Sequence, residues 1–418
     1  MAHVRVFRLL LVGLCLVPIL AGCGLFRIKQ DIWRMDRAVD IRGSVTGARK
    51  GKPVGVVLVR VNRGKKSVIN YYVRYGSGPY RLSMTPGAAY LFAFEDRNED
   101  LRYQKGEPAA WYGGISPTKL SLKDGEKVKG VNIRLTRNIP KGTDDVVRLE
   151  KQTEEKIKLE RYKISRGEVT SLDDKRFTPE KGKEGLWQPV HFAILNGFGI
   201  YFLEPYDPRK IPVLFVHGAG GYPQEFRAII ERLDRKRFQP WVYHYPSGVR
   251  MDKASNFMVK VLTELHAKHK YRRLFIVAHS MGGLVSRAAI NEIVGQYSNH
   301  FIRLFVSFST PWDGVGTARM GVDHSPVVIP AWIDMVPDSP FLQSLFASEL
   351  PPSVPFYLLF GVVGGDGTDG AVPLTSEISL HAQGDAERIY GFPENHTSIL
   401  RSEAAIGRLN HILMQRAK

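Results

Sequence analysis

The chain has 418 residues, of which 44% are hydrophobic and 24% are charged. This composition is typical of folded globular proteins and excludes a disordered chain, and the length predicts more than one domain. The formal net charge of +18 indicates either an anionic surface as a partner, such as a membrane, or simply a basic protein surface. Because no basic cluster with interleaved aromatic residues stands out, we expect no nucleic-acid partner.

The first 22 residues have the pattern of a signal peptide. Arg5 and Arg8 precede an apolar run at residues 9–20, which is shorter than the roughly 20 residues that a transmembrane helix needs. The run ends in Leu-Ala-Gly-Cys at residues 20–23, which resembles the lipobox of bacterial lipoproteins. The resemblance implies cleavage before Cys23 and acylation of that cysteine, with palmitate-type chains that anchor the protein in the bacterial cell envelope.

The cysteine count agrees with that interpretation. Cys15 lies inside the signal peptide, so Cys23 would be the only cysteine of the mature protein, and no disulfide is expected. The residue after Cys23 is Gly24 and not an aspartate. By the usual lipoprotein pattern this implies sorting to the outer membrane, if the cell has one. The alternative is an ordinary cleaved signal peptide with an incidental cysteine.

Residues 23–42 are predicted to form a tether, and residues 43–137 a small antiparallel β-sandwich. Short β-type runs at 54–61, 68–75, 80–84, 90–94 and 131–135 are separated by glycine- and proline-rich turns. From Gly43 to Leu135 the pattern resembles the transthyretin-like or carboxypeptidase-regulatory type of accessory domain. That resemblance implies a binding or spacer unit.

One loop of this region has the spacing of a twelve-residue calcium loop. Asp96, Asn98, Asp100 and Glu107 occupy positions one, three, five and twelve, which carry oxygen ligands for Ca²⁺ in such loops. Leu101, however, stands where the motif requires glycine, and a strand precedes the loop instead of a helix. A Ca²⁺ site and a solvated acidic turn both remain open.

Residues 138–185 are polar and charged, and they predict a linker whose segment 145–164 has helical spacing. From residue 186 to 418, strand-like and helix-like segments alternate, which is typical of a mainly parallel sheet. The predicted fold class is therefore α/β: a mainly parallel sheet with helices on both faces, preceded by the antiparallel β-sandwich. Ligands of such sheets bind at the carboxyl ends of the strands.

A serine lies at one of those ends. A strand-like run, residues 273–278, leads into His-Ser-Met-Gly-Gly at 279–283, and an amphipathic stretch follows. Ala278 and Gly282 are the small residues that a nucleophile elbow requires two positions before and after its serine. The pattern predicts Ser280 as a nucleophile and the backbone N–H of Met281 as an oxyanion donor.

A second oxyanion donor is predicted after an earlier strand. The strand that ends at Val216 runs into His-Gly-Ala-Gly-Gly at 217–221, where glycines let the backbone turn and present N–H groups to a ligand. We expect the N–H of Ala219 to pair with that of Met281. His217 is interpreted as a structural residue that braces the loop.

A serine nucleophile needs a base and a residue that orients the base. His396 lies in a loop between the last predicted strand and the last helix, where an imidazole can reach the serine, whereas His381 and His411 are less suitably placed. For the acid, Asp369 is preferred because Asp-Gly-x-Val puts its carboxylate on a tight turn. Asp366 and Asp313 remain alternatives.

These motifs together resemble the α/β-hydrolases of the bacterial triacylglycerol-lipase and esterase type and the related lipid deacylases. The resemblance is carried by His217-Gly218, the 279–283 elbow, Thr-Pro-Trp-Asp-Gly at 310–314 and the turn before His396. It covers a little over half the chain and implies a serine ester hydrolase that acts through an acyl-enzyme. Because the sequence contains no nicotinamide, flavin, phosphate-loop or zinc signature, we expect that this chemistry requires no cofactor. A lipid deacylase or acyltransferase, and a non-catalytic surface-binding lipoprotein, are the alternatives.

An apolar insertion lies between two of the predicted strands. Trp312, Phe341 and Leu342 belong to it, together with apolar residues at 327–329 and 332–333. Such a segment suits a lid or an acyl-chain pocket above the serine. It also suits a small cap that packs on the domain without forming a lid or a pocket. The sequence favours neither interpretation.

Overall fold

The computed structural model describes residues 37–62, 65–137, 163–296, 300–365 and 367–418. The predicted signal peptide, Cys23, most of the predicted 145–164 helix and the candidate acid Asp366 lie outside these residues. Among the described residues, no helix combines the length and the apolar character needed to cross a membrane.

Two β-sheets form the N-terminal part. One has the order β4-β1-β8, with β9 also paired to β1, and the other has the order β3-β2-β5-β6, with β7 also paired to β5. Most pairings are antiparallel, while β8 and β9 run parallel to β1. The strands are β1 (Val39–Thr46), β2 (Pro53–Asn62), β3 (Lys65–Tyr75), β4 (Gly78–Met84), β5 (Gly87–Glu95), β6 (Ala109–Trp111), β7 (Leu120–Leu122), β8 (Lys127–Val128) and β9 (Ile133–Arg134).

Alternation of apolar and polar residues explains how the two sheets associate. One face of each sheet contributes to a common hydrophobic cluster, in which Ile41 and Leu82 of the first sheet join Val56 and Leu91 of the second. Burial of these side chains stabilises the pair of sheets by roughly 1.5–3 kcal/mol per large apolar residue. The strand β1 begins at Val39, inside the stretch for which the sequence predicted a tether.

The C-terminal part is built on one eight-stranded sheet with the order β10-β11-β13-β12-β14-β15-β16-β17. Every neighbouring pair is parallel except β11 and β13. The strands are β10 (Ile164–Val169), β11 (Phe198–Phe202), β12 (Ile211–Val216), β13 (Phe238–His244), β14 (Leu274–His279), β15 (Ile302–Phe308), β16 (Phe356–Gly361) and β17 (Arg388–Phe392).

Helices cover both faces of this sheet, and a separate hydrophobic cluster lies on each face. Three short 3₁₀ segments, at 175–177, 223–226 and 398–401, add to them. The α-helices are α1 (Pro179–Trp187), α2 (Pro189–Leu195), α3 (Arg227–Glu231), α4 (Met251–His269), α5 (Met281–Gln296), α6 (Gly316–His324), α7 (Pro330–Met335), α8 (Pro340–Leu345), α9 (Leu374–Glu377), α10 (Leu380–Asp385) and α11 (Glu403–Arg416).

The predicted fold class is confirmed: a mainly parallel sheet with helices on both faces follows antiparallel sheets. The strands β10 and β11, which form one edge of the large sheet, were not predicted from the sequence. Residues 163–185, assigned to a linker, contain β10 and most of α1, so this stretch is part of the α/β unit. The sequence of β10, Ile-Ser-Arg-Gly-Glu-Val, is interrupted by polar residues, and the five-residue β11 contains a glycine. β10 pairs with β11, and β11 pairs with β13.

The N-terminal sheets pack against helices α4 and α5. Ala267 of α4 belongs to the same buried cluster as Val57 and Phe92 of the second sheet. Polar contacts add to this interface, since Lys260 Nζ donates to Asn70 Oδ1 at 2.8 Å and lies 4.4 Å from the Tyr71 ring centroid. The two parts of the chain therefore share an interface with an apolar centre.

Candidate active site

Ser280 lies in a strained turn between β14 and α5. Its φ of +54° is in the left-handed region, which costs a non-glycine residue about 1–2 kcal/mol. The next turn is closely packed, because a Cβ at Gly282 would lie 2.4 Å from the carbonyl oxygen of Val216. This packing explains why position 282 requires glycine and how the turn holds the Ser280 side chain clear of the sheet.

The structure brings Ser280, His396 and Asp369 together. The Ser280 hydroxyl donates to His396 Nε2 at 2.9 Å, and His396 Nδ1 donates to Asp369 Oδ2 at 2.5 Å. A carboxylate at Nδ1 holds the proton there, so Nε2 is the acceptor for the serine proton. The three residues follow β14, β17 and β16, whose carboxyl ends share one edge of the sheet.

The Asp369 side chain is fully buried, yet it is held as an anion. Burial raises its pKa, but the hydrogen bond and charge of His396, with the amides of Val372 and Ala371, outweigh burial and bring the pKa to about 2. Those amides donate to Oδ1 at 2.7 and 2.9 Å. The tight turn that the sequence predicted thus fixes one oxygen and leaves Oδ2 for His396.

The electrostatics favour the neutral imidazole of His396. Burial lowers its pKa below the usual value, the Asp369 hydrogen bond raises it, and the charge of His279 lowers it again, with a net decrease. At neutral pH the ring is therefore unprotonated and able to accept a proton.

Two residues that the sequence analysis did not assign support the His396 loop. His279 Nε2 donates to the carbonyl oxygen of His396 at 2.7 Å, and its Nδ1 lies 3.3 Å from Glu225 Oε1. The His279 ring centroid is 4.8 Å from that of His396. His279 was visible as the neighbour of Ser280, but no sequence spacing linked it to the loop at 396.

The residues predicted to form an oxyanion site lie beside Ser280. A Cβ built at Gly218 would be 2.7 Å from Ser280 Cβ, so the 217–221 loop passes directly over the serine. Ala219 is exposed on this loop, and Met281 is the first residue of α5, where amides have no acceptor within the helix. Both residues thus lie on segments that adjoin Ser280, and the role of their N–H groups as oxyanion donors stays a prediction.

His217 is a buried residue that braces this loop. Its Nδ1 lies 3.0 Å from the carbonyl oxygen of Gly218, and its ring stacks on that of Tyr245 with centroids 4.5 Å apart. The Tyr245 hydroxyl donates to the carbonyl oxygen of His217 at 2.9 Å. These contacts agree with the structural role that the sequence suggested.

The apolar insertion folds as a cap of three short helices, α6 to α8. Asp334 fastens it to the main body, because both its oxygens accept from Arg250 Nε, at 2.9 and 3.0 Å, and Oδ2 also accepts from the amide of Met251 at 2.7 Å. Asp334 is almost completely buried. The anchored geometry fits the packed-cap alternative better than a loose lid.

The three predicted pocket residues lie in or beneath this cap. Trp312 is only 1% exposed and Leu342 is buried, while Phe341 is half-buried. Trp312 is a core residue whose indole contacts three aromatic rings: Phe305, Phe346 and Phe356. The structure thus corrects the expectation that Trp312 lines an open pocket, because the apolar core at the end of β15 encloses its ring.

Apolar residues of helices α1 and α7 lie near the 217–221 loop. Helix α1 lies against the loop, since a Cβ at Gly182 would be 2.4 Å from the carbonyl oxygen of Gly220. At the end of α1, the exposed Trp187 packs edge-on against Trp332 of α7, with centroids 5.7 Å apart. These contacts place an apolar surface beside the 217–221 loop.

The alternative acids and bases are placed less favourably. Asp313 is exposed and faces Ser379 and His381, not His396. His381 lies in helix α10 and stacks on the ring of Phe346, and His411 is exposed on helix α11. Asp366 lies outside the described residues.

The calcium-type loop uses its carboxylates within its own turn. Both oxygens of Asp96 accept backbone amides, those of Asp100 and Leu101, at 3.1 and 2.7 Å. Glu107 accepts the amides of Arg97 and Gln104. Leu101 has the φ of +57° that glycine would give at this position. These hydrogen bonds account for the acidic residues as a turn, and in the described chain the carboxylates do not gather into a cation-binding cluster.

The side chains that do gather, within the described ranges, are those of Asp369, Glu377 and His396. One potential ligand atom of each lies within 4.8 Å of the other two. The hydrogen bond between Asp369 and His396 already uses two of these groups. Sequence reasoning missed Glu377, because nothing in its spacing distinguishes it from a surface glutamate.

Comparisons with known proteins agree with this geometry at the level of the fold. Residues 211–326 match a family model described as the alpha/beta hydrolase fold, and this range includes the 217–221 loop and the turn at Ser280. No curated protein sequence matches the chain.

Among solved structures, the chain is similar to a lipase of Bacillus licheniformis in its mature form, with 19% identity and a TM-score of 0.40 over 52% of this chain and 96% of the lipase. It is similar to lipase B of Aspergillus fumigatus, with 15% identity and a TM-score of 0.40 over 51% of this chain and 56% of that enzyme. A protein of Listeria innocua gives 16% identity and a TM-score of 0.40, over 49% and 94% of the two chains.

Proposed function

Since the chain has the α/β hydrolase fold, we propose that it is a serine hydrolase that cleaves carboxylic esters through an acyl-enzyme. The observation that carries the proposal is the continuous hydrogen-bonded relay from Ser280 through His396 to Asp369. Three residues from distant parts of the chain have no structural need to align in this order, whereas acyl transfer requires it.

The geometry supports a two-step reaction. His396 Nε2 takes the Ser280 proton while the serine oxygen forms a bond to the ester carbonyl carbon. The amides of Met281 and Ala219 donate to the resulting oxyanion. His396 then gives its proton to the leaving alkoxide, which departs as an alcohol. In the second step the same imidazole takes a proton from water, whose oxygen bonds to the acyl carbon. The bond from that carbon to the Ser280 oxygen then breaks, the acid leaves, and His396 returns the proton to Ser280.

Pre-steady-state kinetics with p-nitrophenyl esters test this proposal. We expect a burst of p-nitrophenolate equal to the enzyme concentration, followed by slower turnover. The reason is that p-nitrophenolate leaves readily whereas water attacks the acyl-enzyme more slowly, so the acyl-enzyme accumulates. Acyl chains of increasing length, from two to twelve carbons, would define the preferred substrate. An absence of both burst and turnover across the series would favour the non-catalytic alternative, and faster turnover with an added alcohol than with water would favour an acyltransferase.

We further propose that acylated Cys23 anchors the protein to the cell envelope, from the lipobox-like residues 20–23 and the basic charge of the chain. In a bacterial host, the full-length protein is expected in the membrane fraction after a high-salt wash. Cys23→Ser should move it to the soluble fraction, since charge alone is screened by salt. Retention of the variant in the washed membrane would contradict the lipid anchor.

A further inference from the structure

Glu377 is a second buried carboxyl at the site. It ends helix α9, eight residues after Asp369, and its side chain is fully buried. One of its oxygens lies within 4.8 Å of both an Asp369 oxygen and a His396 ring nitrogen. Within the described residues it forms no ion pair, and neither of its oxygens accepts a well-aligned hydrogen bond.

The fold fixes Glu377 in this position. The preceding residue, Ser376, donates through Oγ to the carbonyl oxygen of Gly314 at 2.7 Å and accepts from the amide of Asp313 at 3.1 Å. The amide of Trp312 also donates to the carbonyl oxygen of Ser376 at 3.1 Å. Helix α9 is therefore tied to the end of β15, and the Glu377 side chain cannot turn outward to water.

Two adjacent buried carboxyls cannot both be ionised without a cation between them. The donors at this site favour charge on Asp369, which receives hydrogen bonds from His396, Ala371 and Val372. Glu377 has no comparable donors, so it keeps its proton. In agreement, burial and the negative charge of Asp369 raise the pKa of Glu377 to about 9.

A protonated carboxyl needs an acceptor for its hydrogen. The Ser309 hydroxyl and the Gly361 amide lie close to Glu377 without forming a well-aligned hydrogen bond to it, and the remaining neighbour is the Asp369 carboxylate. The other titratable groups around the pair are His396 and, behind it, His279 and Glu225. The proton of Glu377 therefore points to Asp369.

We propose that Glu377 is a positioning residue: its protonated carboxyl donates a hydrogen bond to Asp369 and keeps that carboxylate directed at His396 Nδ1. This inference rests on the proposed function of the Ser280 site. The hydrogen bond stabilises the Asp369 anion, so Asp369 raises the pKa of His396 by less. His396 therefore stays unprotonated, and able to act as a base, at lower pH. When Glu377 ionises, its negative charge repels Asp369, and the alignment is lost.

Two variants separate this role from simple packing. Glu377→Gln has the same shape and an N–H donor but no titratable proton, whereas Glu377→Met fills a similar volume without a donor. For hydrolysis of p-nitrophenyl acetate, we expect Glu377→Met to lower kcat about tenfold at unchanged KM, the effect of one hydrogen bond to a charged group. It should also move the acidic limb of the pH–rate profile to higher pH.

Glu377→Gln is expected to keep most of the wild-type kcat and to lose the decline in activity that wild type shows near pH 9. The exposed Glu349→Gln serves as the matched control and should leave the profile unchanged. A Glu377→Met enzyme with wild-type kcat and an unshifted profile would overturn the inference, as would a Glu377→Gln enzyme that is as impaired as Glu377→Met.

Thermal unfolding tests the proton on Glu377 without any activity. Because the folded-state pKa is raised above the ordinary value of 4.5, unfolding releases this proton between pH 4.5 and 9, and stability falls as pH rises through that window. The Tm of Glu377→Gln should therefore exceed that of wild type increasingly from pH 5 to pH 8.5. A constant Tm difference would refute the protonated carboxyl, whereas the predicted Tm pattern in a protein without esterase activity would refute only the proposed function.

Discussion

Replacing Ser280 by alanine is expected to lower kcat for ester hydrolysis by on the order of 10⁶-fold, since it removes the oxygen that forms the acyl bond in the proposed mechanism. The fold should be retained, because alanine occupies the strained φ of +54° at about the same cost as serine. Initial rates with p-nitrophenyl esters measure the loss. Labelling by a fluorophosphonate probe, which reacts only with an activated serine, should disappear in parallel.

The matched control is Ser344→Ala. Ser344 is an exposed serine of the cap helix α8, and its hydroxyl donates only to the backbone of Phe341. This variant should be labelled and turn over substrate as wild type does. Equal activity of wild type and Ser280→Ala would show that the hydrolysis comes from another residue or from a contaminating esterase, and the proposed role of Ser280 would have to be abandoned.

Asp369→Asn is expected to lower kcat about 10⁴-fold with little change in KM. The asparagine has the same shape, but its amide can present an N–H to His396 Nδ1, which leaves the ring with its proton on Nε2. An Nε2–H cannot accept the Ser280 proton. The measurement is kcat and KM at pH 7–8, with far-UV circular dichroism to show that the fold is unchanged.

The alternative acids provide the controls for this prediction. Asp313→Asn should retain activity, because Asp313 faces Ser379 and His381 rather than His396. Asp366→Asn tests the remaining alternative from the sequence. A large loss of kcat in either variant, together with an active Asp369→Asn enzyme, would assign the orienting carboxylate to another residue.

The sheet explains how distant residues come to share one site. Val216 of β12 pairs with Ala278 of β14, and Gly361 of β16 pairs with Phe392 of β17. The residues that follow these strands therefore lie side by side at one edge. The 217–221 loop follows β12 and lies beside the serine, while the loops after β14, β16 and β17 contribute Ser280, Asp369 and His396.

Local sequence alone determined much of this protein. The apolar runs predicted the central strands, because a strand buried on both faces must be apolar along its whole length. The small residues around Ser280 predicted the strained turn, since only they fit beside the neighbouring strand. Asp369 and His396 could be proposed because chain order and turn residues restrict where an acid and a base of this fold can lie.

Only the tertiary structure decided the remaining features. It placed β10 and β11 at the sheet edge, enclosed Trp312 in the core, and used the acidic loop at 96–107 as a hydrogen-bonded turn. It also brought Glu377 to Asp369 and His279 to the His396 loop. The reason is physical: a strand's apolar pattern is set by its own residues, whereas the charge state and partners of a side chain depend on burial and on groups far away along the chain.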